Sequence, residues 1–171
     1  MRIKVCFILL FTVFVSVSAF SQMEVTEYKA MCFEYHKHNC NYSENIYYRY
    51  NDASRSALFL KGQTSETRLE IFNGRDYRIS LCADEVLGNQ IYFRLINARE
   101  GNVLYDSRRD DYNMDFEFTV TQTIEIIIEV TVEGTSLPAG EHGRNGIIRR
   151  DNAMGCVGVL IEYMITPKKG F

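Results

Sequence analysis

Hydrophobic and polar residues alternate along most of the chain after residue 56, and this pattern predicts β-strands. The clearest segment is 124–132, which has isoleucine or valine at every second position and mainly glutamate or threonine between them. Further short segments of this kind lie at 57–61, 69–71, 77–83, 91–96, 103–105, 116–121 and 156–165. Turn signals such as Asn73-Gly74 separate them. About eight strands, most with one apolar face, predict a mostly β fold, an antiparallel β-sandwich or jelly roll.

The chain before residue 56 has a different pattern. At 24–38, apolar or aromatic side chains recur at spacings of three and four without glycine or proline, which predicts one N-terminal helix. Residues 39–56 are polar and rich in tyrosine, which predicts an ordered loop. Residues 134–154 contain several glycines and a proline and predict a long loop before the last strand. No helix is predicted between the strands, so a parallel sheet is disfavoured.

The first 21 residues have the three parts of a secretory signal peptide. A basic start at 1–4 precedes an apolar run at 5–15, and small residues follow, ending in Ala19-Phe20-Ser21. The apolar run is shorter than the roughly 20 residues that span a bilayer, so we expect cleavage before Gln22 and no membrane insertion afterwards. The prediction is a secreted or periplasmic protein. We divide the chain into the signal peptide (1–21), a helix with a tyrosine-rich loop (22–55) and a β-sandwich domain (56–171).

Composition and charge narrow the function classes. Hydrophobic residues make up 46% of the 171 residues and aromatic residues 13%, which is enough for a packed core. The formal net charge is −3, and it becomes −5 when Arg2 and Lys4 leave with the signal peptide. An acidic chain has no broad attraction for phosphate backbones or anionic lipid, so we expect no nucleic-acid partner and no membrane-surface role.

Four cysteines remain after the signal peptide and its Cys6 are removed. They are Cys32, Cys40, Cys82 and Cys156, and in an oxidising compartment they are expected to form disulfides. Four cysteines allow three pairings. No two of them form a CxxC pair, which argues against a thioredoxin-type redox site or a zinc ribbon.

Several strand segments together resemble a known group of proteins. The stretch at 73–84, NGRDYRISLCAD, is followed by strands at 91–96, 103–106 and 116–121 and by GCVGVLI at 155–161. Over residues 56–165 this series resembles small secreted proteins of Bacteroidetes-type bacteria. It is more loosely similar to pre-peptidase C-terminal and GOLD-type β-sandwiches, which are non-catalytic accessory or interaction modules. The resemblance implies a non-catalytic role for this chain.

The resemblance also implies a disulfide pairing. Cys82 and Cys156 both lie at predicted strand ends, and their sequence contexts occur together in the proteins that the chain resembles. We therefore expect a Cys82–Cys156 bridge, with Cys32–Cys40 as the second. The alternative is that one or more of the four cysteines stay as buried thiols.

Two groups of residues have the chemistry of metal ligands. Four aspartates lie between two predicted strands and offer the hard oxygen ligands that calcium prefers: Asp106, Asp110, Asp111 and Asp115. Arg108 and Arg109 lie among them, so an ion-paired loop is the alternative to a calcium site. His36 and His38 form an H-x-H pair, but positions two apart diverge on a helix, and a solvated helix end is the favoured interpretation.

Two further groups are candidate binding surfaces. Tyrosines in the N-terminal loop offer either a sugar-binding platform or packing between helix and sheet, with packing favoured: Tyr42, Tyr47, Tyr48 and Tyr50. The long loop carries charged residues that we take as the preferred binding surface, since long loops on rigid sandwiches often bind: His142, Arg144, Arg149 and Arg150.

The sequence contains no recognisable catalytic motif. The three histidines lie outside any nucleophile motif such as G-x-S-x-G, and no H-E-x-x-H occurs. The glycines lack phosphate-loop or dinucleotide spacing, so we expect no cofactor. The prediction is a non-enzymatic, exported β-sandwich that acts as a binding or structural accessory, with a protein or glycan partner at the cell envelope. The alternatives are a calcium- or carbohydrate-binding module and a small secreted hydrolase with an unrecognised site.

Overall fold

A computed structural model describes residues 30–134 and 153–168, which form nine strands in two antiparallel sheets. The strands are β1 (Arg49–Tyr50), β2 (Arg55–Leu60), β3 (Thr64–Ile71), β4 (Arg75–Ala83), β5 (Ile91–Asn97), β6 (Val103–Asp106), β7 (Asp115–Val120), β8 (Ile124–Val132) and β9 (Met154–Ile165). The five-stranded sheet has the order β1-β9-β4-β7, with β2 also paired to β9. The four-stranded sheet has the order β3-β8-β5-β6. The predicted β-sandwich is confirmed.

The core lies between the two sheets and follows the alternation of the sequence. On β8, Ile126, Ile128, Val130 and Val132 are buried, as are Ile91, Phe93 and Leu95 on β5. The five-stranded sheet contributes Tyr77, Ile79 and Leu81 from β4 and Val157, Val159 and Ile161 from β9. Full burial of each such apolar side chain contributes roughly 1.5–3 kcal/mol. The polar side chains between these residues lie on the outer faces.

Two strand assignments differ from the prediction. β1 has only two residues and lies in the stretch predicted as a loop. Its pairing with Glu162 and Tyr163 of β9 requires no alternation of apolar residues, so the sequence pattern does not indicate this strand. β3 begins at Thr64, earlier than the predicted start at 69. Its first inward-facing residues, Ser65 and Thr67, are polar and half-buried. A search for alternating apolar residues therefore does not detect this part of the strand.

The N-terminal helix is shorter than predicted. Residues 30–31 are helical, 32–34 form a turn, and a helix α1 (Tyr35–Asn39) follows. Glu34 has a left-handed backbone, with φ of 55°, which a continuous helix does not allow. The predicted N-terminal helix is confirmed as a short helix, but its predicted bounds are wrong in the described part, and 24–29 lie outside the described residues. No helix in the described part of the chain is long and apolar enough to cross a membrane.

The disulfide pairing also differs from the expected one. Cys32 bonds Cys156, and Cys40 bonds Cys82, so all four cysteines are used but in another combination. The reason is the register of β4 and β9, which places Cys82 opposite Gly158 rather than opposite Cys156. Diagonal neighbours two residues away are roughly 7–8 Å apart, beyond the reach of a disulfide. Both cysteines face outward, and each meets a cysteine of the N-terminal segment.

The N-terminal segment (residues 30–50) lies on the outer face of the five-stranded sheet until it joins that sheet as β1. A Cβ at Gly158 would be 2.8 Å from the Cα of His36 and 2.8 Å from Sγ of Cys82, so only glycine allows this close approach. The outward-facing Leu160 is fully buried as a result. The segment therefore converts one solvent face of the sandwich into a second, smaller core.

Candidate functional site

A cleft of about 710 Å³ lies between the two sheets, at the end where β7 turns into β8. Its floor is formed by side chains of β5, β6 and β7, and we name it the aromatic cleft after three of them, Tyr105, Phe116 and Phe118. The turns at 97–100 and 121–123 border it. β6 and β7 are the terminal strands of their sheets among the described residues, so the cleft opens between two strand edges.

The three rings connect the two sheets across this opening. Tyr105 on β6 stacks on Phe116 of β7, with ring centroids 3.7 Å apart, and Phe116 stacks on Phe118 at 5.4 Å. Phe118 in turn stacks on the buried Tyr77 at 5.9 Å. The three cleft rings are only half-buried. They therefore present apolar surface to the cleft and hold its two walls together.

The hydroxyl of Tyr105 keeps its proton. It donates a hydrogen bond of 3.0 Å to a carboxylate oxygen of Asp110. Burial, assisted by this carboxylate, raises the pKa of Tyr105 to about 12. The ring therefore stays neutral at physiological pH, and the cleft floor carries no negative charge of its own.

The rim of the aromatic cleft is acidic. Three exposed glutamates line it, Glu70, Glu100 and Glu125, together with one arginine, Arg99. Glu125 forms an exposed ion pair of 3.1 Å with Arg68. No ion pair among the described residues involves Glu70 or Glu100, so the rim is net negative around an apolar floor.

A second cavity, of about 650 Å³, lies on the outer face of the five-stranded sheet. We call it the polar pocket. It is lined by a loop and three strand residues: Asn41, Tyr42, Ser43, Glu44, Asn45, Arg78, Asp115 and Glu117. The loop belongs to the N-terminal segment, which the two disulfides hold against the sheet. The pocket is therefore built from two parts of the chain that are distant in sequence.

The base of the polar pocket is a buried arginine surrounded by carboxylates. Nη1 of Arg78 donates to Glu162 at 2.7 Å and to the carbonyl oxygen of Asn41 at 2.7 Å, while Nη2 donates to Asp115 at 2.5 Å. Glu117 approaches Nε at 3.7 Å. Glu162 also accepts from the backbone N–H of Ser43 at 3.0 Å. This network ties the loop to the sheet and leaves the pocket net negative.

His36 is the most buried histidine that the structure describes, at 5% exposure. Its Nδ1 is 2.6 Å from Oγ of Ser56, and its Nε2 is 3.0 Å from the hydroxyl of Tyr50. The same Ser56 oxygen accepts the backbone N–H of His36 at 2.8 Å. Neither the aromatic cleft nor the polar pocket is lined by His36. These hydrogen bonds therefore join α1 to β1 and β2.

Because His36 is buried, we expect the free energy of unfolding to depend on pH. Burial lowers its pKa, with smaller contributions from Lys37 and Arg55 in the same direction and an opposing one from Glu34. A histidine whose pKa is lower in the folded state stabilises the fold above its unfolded pKa, near 6.5, and this contribution is lost as the pH falls below it. We expect urea midpoints to fall between pH 8 and pH 5.5, and to fall less for His36→Gln.

The exposed neighbour provides the matched control. His38→Gln removes an imidazole from α1 without removing the contacts to Ser56 and Tyr50. Equal pH dependence in the wild type and in His36→Gln would contradict the role assigned to burial of His36.

The four predicted calcium ligands are bound to separate partners. Asp106 accepts from Nε and Nη2 of Arg108, at 3.0 and 2.6 Å, which lowers its pKa. Asp110 accepts from Tyr105 and Asn113, Asp115 pairs with Arg78, and Asp111 is exposed in a left-handed turn. The described residues contain no group of three or more His, Cys, Asp or Glu arranged to hold a metal. The calcium site stays a prediction.

The two predicted binding surfaces are the tyrosines of the N-terminal loop and the charged residues of the long loop. Tyr50 packs against His36, Tyr48 is half-buried near Glu117, and Tyr42 and Tyr47 are exposed. The four tyrosines therefore do not form one platform. His142, Arg144, Arg149 and Arg150 lie outside the described residues.

Sequence reasoning named Tyr42 and Asp115, which line the polar pocket, but missed the other residues that line the two cavities. One signal was present: Glu162 is a charged residue inside an otherwise apolar strand segment, and Arg78 is a charged residue in a segment that alternates between apolar and polar residues. Charges at such positions need partners when they are buried. Their pairing could not be foreseen, since it depends on the register that places Arg78 opposite Glu162.

The chain is thus a disulfide-bonded antiparallel β-sandwich with two surface cavities. No protein-family model matches the chain, and no curated protein is significantly similar to it in sequence. The solved structures that are similar in part include the following two. Both are described as PliG, a periplasmic lysozyme inhibitor of g-type lysozyme.

The first is PliG of Aeromonas hydrophila, with a TM-score of 0.44 and 8% identity, covering 72% of this chain and 92% of that one. The second is PliG of Salmonella Typhimurium, with a TM-score of 0.38 and 12% identity, covering 72% and 93%. Similarities this distant establish neither a family nor a ligand for this chain.

Proposed function

We propose that this chain is an exported, non-catalytic protein that binds a partner protein at the cell envelope through the aromatic cleft. Export is supported by the predicted signal peptide and by two disulfides, which are typical of oxidising compartments. The observation that carries the proposal is the cleft itself. Its volume, about 710 Å³, lies within the range of ligand-binding pockets.

The chemistry of the cleft favours an extended peptide segment as its occupant. Its apolar rings fit a large apolar side chain, and its acidic rim complements lysine or arginine beside that side chain. The flanking strands β6 and β7 each end a sheet among the described residues. Such edges can pair with the backbone of an extended segment, which a glycan cannot do.

A non-catalytic role agrees with the side chains present. The described lining of the cleft contains no histidine, cysteine, serine or lysine, and its carboxylates, which could act as bases, are the exposed glutamates of the rim. Its polar groups are glutamates, threonines and amides together with Arg99. These groups suit recognition of charge and of backbone hydrogen bonds.

Selection of peptides on the mature protein tests this proposal. A random peptide library displayed on phage is expected to yield sequences with a large apolar residue next to lysine or arginine. Phe116→Leu removes the central ring while keeping an apolar side chain, and we expect it to weaken the selected peptides about tenfold or more, as at other aromatic hot spots. Affinities are measured by fluorescence polarisation.

Two further variants make the test specific. Glu100→Lys reverses one exposed charge of the rim without touching the core and is expected to weaken the same peptides. Phe33→Ala is the matched control, because Phe33 is an exposed phenylalanine on the N-terminal segment, away from the cleft. Peptides without the apolar and basic residues, or binding that neither cleft variant alters, would show the proposal to be wrong.

A further inference from the structure

The guanidinium of Arg78 has hydrogen-bond donors left over after its protein contacts are counted. It has five N–H groups. Nη1 uses two of them, on Glu162 and the carbonyl of Asn41, and Nη2 uses one on Asp115. Nε has only Glu117 nearby, at 3.7 Å, which is too far for a hydrogen bond. No buried side-chain nitrogen of the described residues lacks a partner, so Nε, which has none, is accessible from outside, and Arg78 lines the polar pocket.

Acceptor groups stand directly beside these donors. Asp115 uses only Oδ1 on Arg78, and Glu117 has a side chain that is 57% exposed and holds Arg78 only loosely. The pocket thus places charged donors and charged acceptors next to each other. A hydroxyl group is both donor and acceptor, so neighbouring hydroxyls can bridge a guanidinium and a carboxylate.

One wall of the polar pocket is aromatic. Tyr42 lines the pocket and is 46% exposed, so part of its ring is free to contact a ligand. Partial burial raises the pKa of Tyr42, which keeps its hydroxyl protonated. An aromatic ring beside a row of charged hydrogen-bonding groups complements a molecule with an apolar C–H face and polar edges.

We propose that the polar pocket binds a neutral saccharide, through Arg78, Asp115, Glu117 and Tyr42. The ligand lacks negative charge because one guanidinium is surrounded by three carboxylates, those of Glu162, Asp115 and Glu117, which repel phosphate and carboxylate groups. The site lies on the outer face of the five-stranded sheet and shares no residue with the aromatic cleft. Failure of one of the two proposals would therefore leave the other unaffected.

Calorimetric titration of the mature protein with defined trisaccharides tests the proposal. The probes are chitotriose, cellotriose and maltotriose, with anionic trigalacturonate for comparison. We expect at least one neutral trisaccharide to bind with a dissociation constant of about 1 mM or lower, and trigalacturonate to bind at least about tenfold more weakly. Absence of binding by all three neutral sugars up to about 10 mM overturns the proposal.

Variants locate the binding in the pocket. Glu117→Gln removes a charged acceptor from an exposed position and is expected to weaken the bound trisaccharide about tenfold. Tyr42→Ala is expected to weaken it about fivefold. Tyr47→Ala is the matched control, since Tyr47 is exposed on the same loop and does not line the pocket. Binding that survives Glu117→Gln and Tyr42→Ala unchanged, or that Tyr47→Ala weakens equally, overturns the assignment.

Discussion

Replacing Cys32 and Cys156 together with alanine is expected to lower the free energy of unfolding by about 4–5 kcal/mol. The two residues are 124 positions apart, so their bond removes much conformational freedom from the unfolded chain. The bond also closes the N-terminal segment onto the outer face of β9. Equilibrium urea denaturation of the wild type and the double variant measures the difference.

The other disulfide supplies the comparison. Cys40 and Cys82 are only 42 positions apart, so replacing both with alanine is expected to cost about 1 kcal/mol less in the chain-entropy treatment. The reverse order of stabilities would contradict the loop-length argument. A single Cys156→Ala substitution checks the pairing itself. It is expected to leave Cys32 as the free thiol, which alkylation and peptide mapping identify, whereas a free Cys82 would contradict the pairing.

The disulfides matter for function because they position the loop of the polar pocket. Cys32 and Cys40 lie on either side of α1 and bond two neighbouring strands, β9 and β4. Directly after Cys40 the chain forms the loop over Arg78. The carbonyl oxygen of Asn41, the next residue, accepts a hydrogen bond from Arg78. Reduction of Cys40–Cys82 is therefore expected to disturb this pocket more than the distant aromatic cleft.

Most of the strands could be predicted because their own sequences alternate between apolar and polar residues. In β8 every second residue is apolar, and four of these five, Ile126, Ile128, Val130 and Val132, are buried. The N-terminal segment could not be predicted in this way. Its side chains are buried by contact with Gly158 and its neighbours, over a hundred residues away in sequence, and helix periodicity at 24–38 says nothing about that contact.

The disulfide pairing shows the same limit of prediction from sequence. Alternation places Cys82 on the polar side of β4, with Arg78 and Ser80, so its outward direction is readable from sequence. The bonding partner of Cys82 cannot be read from the sequence, because two cysteines that face the same way are bonded only if the strand register brings them opposite each other. The aromatic cleft depends likewise on how far the two sheets separate at β6 and β7, although the inward direction of Phe116 and Phe118 follows from their spacing.

Replacing Arg78 with methionine is expected to destabilise the protein by about 3–5 kcal/mol, as when one partner of a buried ion pair is removed. Glu162 is 3% exposed and would lose the guanidinium that now lies 2.7 Å away. Asp115 would lose its ion pair as well. Urea denaturation measures the effect. Arg68→Met is the matched control, because its ion pair with Glu125 is largely exposed and such pairs contribute about 1 kcal/mol or less.

The double variant Arg78→Met with Glu162→Met separates two causes of this loss. If the loss comes from a carboxylate left unpaired in the interior, removing that carboxylate as well should recover much of the stability, since buried ion pairs can often be replaced by apolar side chains at little cost. The recovery would be incomplete, because Ser43 would lose the acceptor for its backbone N–H. A double variant as unstable as Arg78→Met would instead show that Arg78 stabilises the fold through its bonds to Asn41 and Asp115, and that the loop of the polar pocket depends on this one side chain.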